Sequence, residues 1–169
     1  MSGGPPSSPG PPSRLPALGP RGEGWVVLQS VVAGAALLAG LAGPPWPSRV
    51  RWATRLAGLA FGVGGAALGV AGGRHLEGSI SPYPAPRDDA ALREHGAYAL
   101  VRHPIYGGLI LLSTAWSLFT SPAALGPTAL LALVFEGKRR REEGWLRARY
   151  PGYVGYAARV RRRFVPFVW

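Results

Sequence analysis

Two polar stretches, one on each side of a long apolar segment, carry the side chains that could do chemistry. Residues 96–108 read GAYALVRHPIYGG, and residues 138–150 read KRRREEGWLRARY. Tyrosine rings in the first stretch offer π faces to a cation. The proline after His103 suits the first turn of a helix, whose N-terminal end favours an anion. In the second stretch, the Glu142 carboxylate can accept hydrogen bonds from hydroxyl groups. Together the stretches could bind a small molecule that carries charges of both signs.

Each stretch also has a plainer interpretation. The Arg-His-Pro run could simply begin a helix at a membrane surface, with Arg102 on phosphate and His103 solvated. Glu142 and Glu143 could pair with the basic residues one turn earlier, as i,i+4 partners do on a helix. The occurrence of both stretches across one apolar segment favours the functional interpretation for these residues. An interfacial aromatic belt is expected for Tyr150, Tyr153, Tyr156 and Trp169.

Apolar runs long enough to cross a membrane set the fold class. Residues 25–42 and residues 56–73 are two such runs. Residues 104–135 hold no Asp, Glu, His, Lys or Arg, and as one helix they would measure about 48 Å against a bilayer core of about 30 Å. The Thr-Ser-Pro run at 120–122 is expected to divide them into two antiparallel helices, the second continuing to Arg149. The sequence thus predicts an all-α integral membrane protein with about four transmembrane helices. The last two form a short helical hairpin, with a cytoplasmic C-terminal helix extension.

Composition excludes several kinds of site. The 169-residue chain has no cysteine, which removes disulfides, thiolate metal sites and cysteine nucleophiles. His75 and His95, with acidic residues nearby, match no spacing of metal ligands, so no metal is expected. Glycines within residues 56–73 recur at about four-residue spacing. They favour close approach of helix backbones rather than phosphate binding.

Charge and domain organisation point to one membrane-embedded unit. Residues 1–24 are rich in Pro, Gly and Ser and are expected to be disordered, and residues 25–169 form the membrane-embedded domain. The net charge is +11, and ten of the 19 basic residues lie within residues 138–163. Such a run beside a membrane span is more typical of contact with anionic lipid on the cytoplasmic side than of nucleic-acid binding. Both polar stretches are therefore expected at the cytoplasmic face, although the arginines at 49, 51 and 55 would lie on the other side.

The paired stretches resemble the isoprenylcysteine carboxyl methyltransferase family and, more distantly, phospholipid methyltransferases. The resemblance runs over about residues 92–166. It rests on the Gly-x-Tyr-x-x-Val-Arg-His-Pro-x-Tyr-x-Gly run, the apolar hairpin and the Glu-Glu-x-x-Leu-x-x-x-Tyr run. It implies a small helical membrane enzyme that uses S-adenosylmethionine as methyl donor. It also implies that the cofactor is bound by Leu92, Arg93, Tyr98, His103, Pro104, Ile105, Tyr106 and Glu142.

The substrate side of the implied site falls on the basic helix. Lys138 stands where the family usually has a substrate-facing arginine, and Lys138 or Arg139 could orient a carboxylate acceptor. Direct displacement at the methyl group then needs no base. An amine or a thiol acceptor would instead lose a proton to His103 or Glu143. The family's C-terminal arginine corresponds to position 162 or 163, because this chain is one residue longer there.

The sequence is compatible with three functions. The resemblance favours methyl transfer to a lipophilic small molecule or lipid at the cytoplasmic membrane face, with membrane lipids as further partners and no nucleic acid. A phospholipid N-methyltransferase or a small-thiol S-methyltransferase would use the same fold. A non-enzymatic membrane scaffold with a lipid-binding basic tail is the third. The oligomeric state stays open at the level of sequence.

Overall fold

The fold is known from a computed structural model that describes residues 16, 18–75, 83 and 92–168. Within these ranges the secondary structure is entirely helical, which confirms the predicted all-α class for them. A short 3₁₀ turn, Pro122–Ala124, separates two of the helices. The helices are α1 Glu23–Ala42, α2 Ser48–Arg74, α3 Ala97–Leu100, α4 Pro104–Phe119, α5 Leu125–Arg149 and α6 Tyr153–Arg159. Most of the segment expected to be disordered lies outside the described residues, and its last two positions belong to α1.

Two helices, α1 and α2, are long and apolar enough to cross a membrane. They contain 20 and 27 residues, and α4 is a shorter apolar helix of 16. Large apolar side chains stand exposed on their outer surfaces, among them Val31 at 63%, Leu38 at 64% and Trp52 at 70%. In water this surface would be unfavourable, whereas lipid tails cover it without penalty. The arginines at 49, 51 and 55, expected before the second span, are instead part of α2.

Glycines allow α2 and α4 to approach closely. A Cβ atom on Gly108 of α4 would lie 2.8 Å from Gly65 O and 2.8 Å from Gly69 Cα, both on α2. One turn further along α2, a Cβ on Gly72 would lie 2.9 Å from the Pro104 ring. The predicted close approach through small residues is therefore confirmed, and it takes place within one chain. Because Gly72 meets Pro104, α2 ends where α4 begins.

The break between α4 and α5 occurs where the Thr-Ser-Pro run predicts it. Helix α4 ends at Phe119, and the Ser121 hydroxyl accepts a hydrogen bond from the Ala123 amide at 3.1 Å. At the same end of the molecule, Trp46 Nε1 donates to Ser117 O at 2.9 Å. The loop between α1 and α2 therefore lies beside the α4–α5 break, as an up-and-down order of the four long helices requires.

A cluster of buried hydroxyl groups joins α4 to α5 inside the apolar hairpin. Thr128 Oγ1 lies 2.8 Å from Ser113 Oγ and 3.0 Å from Ser117 Oγ. Ser117 Oγ also donates to Ser113 O at 2.9 Å. Each hydroxyl is thus satisfied where water is excluded, which is the condition for polar groups in an apolar interior.

The chain after α6 returns to the start of α4. The Arg102 amide donates to Arg162 O at 3.0 Å, and the His103 amide donates to Arg163 O at 2.8 Å. The Phe164 side chain is fully buried, and its carbonyl lies against Gly107, where a Cβ would overlap it. We call residues 160–168 the C-terminal segment. It holds the start of α4, where Gly107 lies between Phe164 and Leu68 of α2.

Two tyrosines predicted for an interfacial belt are instead buried. Tyr153 is 1% exposed and Tyr156 is 2% exposed, and their rings meet edge to face at 5.8 Å between centroids. The Tyr156 hydroxyl donates to Tyr98 O at 2.8 Å. That prediction was wrong for both residues, because α6 folds back onto α3 rather than lying at a lipid surface. Tyr150 is half-buried at the end of α5, and Trp169 lies outside the described residues.

Candidate functional site

The two polar stretches meet at a hydrogen bond between α4 and α5. The Tyr106 hydroxyl, on the first turn of α4, donates to Glu142 Oε2 at 2.7 Å. The His103 ring lies parallel to the Tyr106 ring, with 5.5 Å between centroids, and His103 Nδ1 is 3.8 Å from Glu142 Oε2. The predicted proximity of the two stretches is thereby confirmed, and Glu142 does reach the first stretch from the opposite helix.

Glu143 lies at the centre of a buried ion-pair cluster. Its side chain is 1% exposed, and Oε1 accepts from Arg102 Nε at 2.9 Å and lies 3.0 Å from an Arg139 guanidinium nitrogen. His103 Nε2 lies 3.2 Å from the same oxygen, and Arg147 donates to the other at 3.1 Å. Burial alone would raise the pKa of Glu143, but the His103 hydrogen bond and the charges of Arg139 and Arg102 hold it far below its usual range. A carboxylate held in this way is a poor proton acceptor.

A second carboxylate extends this cluster. Glu136 binds Arg139 at 2.7 Å and Arg140 at 2.7 Å, and it lies 3.4 Å from an Arg163 guanidinium nitrogen. The sequence analysis did not single out Glu136, although its position three and four residues before two arginines on a helix is the available signal. Because Glu136 and Glu143 both bind Arg139, this guanidinium is fully engaged by the protein.

Lys138 is the single lysine of the chain, and it lies between α5 and α1. It is 1% exposed. Its Nζ donates to Gln29 Oε1 at 2.6 Å and stands 5.0 Å from the centre of the Tyr106 ring. Lys138 follows the apolar part of α5, and burial lowers its pKa to about 8 although the negative charge of Glu142 acts in the opposite direction. Gln29 is a polar residue inside the apolar helix α1, and it shares a helix face with buried Trp25 one turn earlier.

The remaining predicted cofactor residues lie in three places. Tyr98 is half-buried; burial raises its pKa, and the nearby charge of Glu142 raises it further, which places Tyr98 on the same side as the Tyr106–Glu142 pair. Pro104 and Ile105 instead contact the Gly72 position of α2. Leu92 and Arg93 are half-buried next to Glu94, whose carboxylate pairs with Arg159 of α6 at 2.5 Å.

The structure contradicts the first of the plainer interpretations and supports part of the second. A solvated His103 with Arg102 on phosphate is wrong, since the two side chains are 5% and 8% exposed and both bind Glu143. Pairing of Glu143 with Arg139 at i,i+4 is confirmed. The predicted anion site at the start of α4 has fewer amides available than expected. The Arg102 and His103 amides bind carbonyls of the C-terminal segment, so an anion at this helix end could use only amides after Pro104.

Within the described ranges, no group of three or more His, Asp or Glu side chains has a geometry suited to a metal ion. Asp88 and Asp89 lie outside those ranges. The arrangement that the structure does present is a tyrosine–carboxylate pair with a buried lysine on one side and a buried ion-pair cluster on the other. Comparison with protein-family models, with curated proteins and with solved structures finds no match to this chain.

Proposed function

We propose that this protein is a membrane-embedded methyltransferase that uses S-adenosylmethionine to methylate a lipophilic acceptor, as the resemblance to isoprenylcysteine carboxyl methyltransferases implies. The observation that carries the proposal is the hydrogen bond from Tyr106 to Glu142, which joins the two motifs behind that resemblance. The proposal includes four membrane spans, with α4 and α5 crossing beside α1 and α2. It also places the tyrosine–carboxylate pair at the cytoplasmic face.

The donor set near Tyr106 fits the chemistry of this cofactor. The half-buried Tyr98 ring suits a sulfonium cation or an adenine ring, and a cation over an aromatic face gains about 0.5–2 kcal/mol. The Tyr106 ring is already stacked against the His103 and Phe135 rings, so Tyr106 would act through its hydroxyl group. The Glu142 side chain is 24% exposed, so part of the carboxylate is open to ribose hydroxyls. When bound, the cofactor would supply an electrophilic methyl group with a neutral thioether as leaving group. Tyr98, Tyr106 and Glu142 would bind and orient it.

Lys138 is better placed than Arg139 to bind the methyl acceptor. The Arg139 guanidinium already binds Glu136 and Glu143, so it has little capacity left for a ligand. Lys138 Nζ lies beside the Tyr106 ring and reaches Gln29 on the apolar helix α1. A lipophilic acceptor carrying a carboxylate could therefore place its apolar part along α1 and its charge near Lys138. Arg139 and Glu143 act as positioning residues.

The low pKa of Glu143 also favours a carboxylate as the methyl acceptor. Methylation of a carboxylate needs no proton acceptor, and the low pKa of Glu143 makes it unsuited to take a proton from an amine or a thiol. A small-thiol S-methyltransferase is the second candidate, because a lysine with a pKa of about 8 is partly neutral near neutral pH and could take the thiol proton.

Cofactor binding is the direct test. The purified protein in detergent is titrated with labelled S-adenosylmethionine, and its thermal stability is followed with S-adenosylhomocysteine. We expect Tyr106→Phe and Glu142→Gln each to weaken binding. The matched controls Tyr150→Phe and Glu94→Gln, which change the same groups at the Arg149 and Arg159 contacts, should leave it intact. Binding that survives Tyr106→Phe combined with Glu142→Gln would remove the site assignment.

Activity assays then separate the acceptors. Prenylcysteine, phosphatidylethanolamine and a small volatile thiol are supplied in parallel with labelled cofactor. Label transfer to prenylcysteine that is lost in Lys138→Met supports the carboxylate acceptor. Transfer to the thiol alone supports the second candidate.

A further inference from the structure

The outer surface of the C-terminal segment combines basic and apolar side chains. Arg161 and Arg162 are exposed, and Phe167 and Val168 are 84% and 82% exposed. The Arg162 guanidinium stands 5.1 Å from the centre of the Phe167 ring. The inward side is different, because Phe164 is buried and Arg163 is directed toward Glu136. The segment thus has a packed face and an outer face on which two cations lie beside two apolar side chains.

The C-terminal segment lies at the end of the molecule where α2 ends and α4 begins. Its Phe164 carbonyl contacts Gly107 on the first turn of α4, and the Pro104 ring next to it meets Gly72 at the end of α2. Only a few residues further along α4, Leu109 and Leu112 are 42% and 41% exposed. The outer face is therefore level with the end of the surface that lipid tails would cover.

All charged side chains from residue 144 onward are basic. Six arginines and no acidic residue follow Glu143, and three of the six lie at positions 161–163. Among the described residues, Glu136 is the acidic partner of Arg163 and is also bound by Arg139 and Arg140, while Glu94 pairs with Arg159 just before the segment. A polyanionic surface is the complement of such a region.

We propose that the C-terminal segment is a docking surface for anionic phospholipid headgroups, with Arg161 and Arg162 on phosphates and Phe167 and Val168 inserted at the headgroup level. Nucleic acid also attracts arginines, but exposed apolar side chains next to membrane-crossing helices favour a bilayer surface. The docking surface is independent of the proposed methyl transfer. The packed face of the segment adjoins the tyrosine–carboxylate pair: the carbonyls of Arg162 and Arg163 bind the amides of Arg102 and His103, and the Phe164 ring lies 6.5 Å from the Tyr106 ring between centroids.

The absence of cysteine from the chain gives a clean test. Val168→Cys provides one attachment point for an environment-sensitive fluorophore. The labelled protein is placed in nanodiscs of phosphatidylcholine alone or of phosphatidylcholine with phosphatidylglycerol. We expect bluer and stronger emission in the anionic nanodiscs. The shift should disappear at about 1 M salt, where the Debye length falls to about 3 Å.

Matched variants identify the groups responsible. Arg161→Ala with Arg162→Ala should abolish the shift. Arg49→Ala with Arg55→Ala, which removes the same charge from exposed positions on α2, should preserve it. A fluorophore at Leu130→Cys, on the exposed apolar surface of α5, gives the reference emission of a lipid-facing site in both nanodiscs. Thermal unfolding of each variant in detergent confirms that it is folded.

Equal emission in the two kinds of nanodisc would overturn the proposal. So would a shift of the same size in zwitterionic nanodiscs on addition of duplex DNA, because the surface would then bind nucleic acid. The test involves no cofactor. Titration of the same variants with S-adenosylhomocysteine shows separately whether the proposed enzyme site is intact, so failure of one proposal is distinguishable from failure of the other.

Discussion

Tyr106 and Glu142, 36 positions apart in sequence, share a hydrogen bond of 2.7 Å between the first turn of α4 and the polar half of α5. The apolar hairpin between them accounts for this separation. Its two helices run antiparallel, so the residues just before the first apolar run and just after the second return to the same end. The proximity therefore follows from the position of the helix break at residues 120–122.

The first prediction concerns the energetic coupling of this pair. Tyr106→Phe and Glu142→Gln should each lower the free energy of unfolding by about 1–3 kcal/mol, since each removes or weakens a hydrogen bond to a charged group. In the double variant the effects should be less than additive, because both single changes affect the same bond. Thermal unfolding in detergent measures the cycle. A control cycle of Tyr106→Phe with Glu94→Gln should be additive, and additivity in both cycles contradicts the prediction.

The second prediction concerns the buried carboxylate of Glu143. Glu143→Gln should destabilise the protein by about 3–5 kcal/mol, because it leaves the buried Arg102 charge without its carboxylate partner and removes one of the two carboxylates that bind Arg139. Arg147→Ala should cost less than about 1 kcal/mol, since that side chain is 52% exposed. Chemical or thermal denaturation in detergent compares the two. Equal effects would show that the Glu143 cluster is not a buried network.

Glu143 should also contribute to the loss of folding stability in acid. The pKa of Glu143 is lower in the folded protein than its ordinary value of 4.5, so the folded state binds fewer protons than the unfolded state below that pH. Its contribution to stability is therefore complete above about pH 4.5 and is lost as the pH falls further. Unfolding profiles at successive pH values should show this loss, and Glu143→Gln should flatten it.

The third prediction uses Lys138 as the single lysine of the chain. Protein labelled with ¹³C-lysine should give one Cε resonance that titrates with a pKa of about 8, against the ordinary 10.5 in the unfolded protein. Because burial disfavours the charged amine, the folded state holds fewer protons between these values, and stability should rise as the pH rises from about 8 to 10.5. Gln29→Leu removes the acceptor of the Lys138 hydrogen bond and should move the titration lower. A midpoint near 10.5 would place Lys138 in water.

The fourth prediction concerns the glycines between α2 and α4. Gly108→Ala should lower the free energy of unfolding by about 1–3 kcal/mol, because its methyl group would meet the α2 backbone. Gly64→Ala is the matched control, since a Cβ at that position of α2 meets no atom within 4 Å. Thermal stability in detergent, followed by size-exclusion chromatography, distinguishes them. A neutral Gly108→Ala would mean that the two helices are further apart.

The fifth prediction concerns topology. With four spans and a cytoplasmic tyrosine–carboxylate pair, a membrane-impermeant maleimide should label Arg49→Cys on intact cells. It should label Arg161→Cys only after the membrane is opened. Both positions are exposed, and the wild-type chain has no cysteine to react. Labelling of both from the same side would exclude the four-span arrangement.

Helix existence and order were largely predictable from the sequence because each depends on local signals. The break at residues 120–122 follows from a proline and two short polar residues, and the end of α5 at Arg149 follows from the proline two positions later. The start of α2 was less predictable: three arginines suggested a polar approach to the span, but they continue the helix at its N-terminal end.

The candidate site was predictable only where its residues fall in the two motifs. Gln29 joins it from a helix more than 100 positions away, and a polar residue inside an apolar run carries no sign of its partner. Tyr153 and Tyr156 were misplaced because their burial depends on tertiary contacts, such as the hydrogen bond from Tyr156 to Tyr98 O on α3, and tyrosines beside a membrane span are also what an interfacial belt contains. The return of the C-terminal segment to α4 rests on backbone hydrogen bonds and on the burial of Phe164, which are long-range contacts that local sequence patterns do not predict.

The hydroxyl contacts between Ser113, Ser117 and Thr128 set the rotational register of the α4–α5 pair. Ser113 follows Tyr106 by seven positions and Thr128 precedes Glu142 by fourteen, both close to a whole number of turns at about 3.6 residues per turn. Rotating either helix by one residue would break the hydroxyl contacts between the two helices and leave Ser117 with its bond to Ser113 O on its own helix. Three small side chains between α4 and α5 therefore help to set the directions in which Tyr106 and Glu142 point.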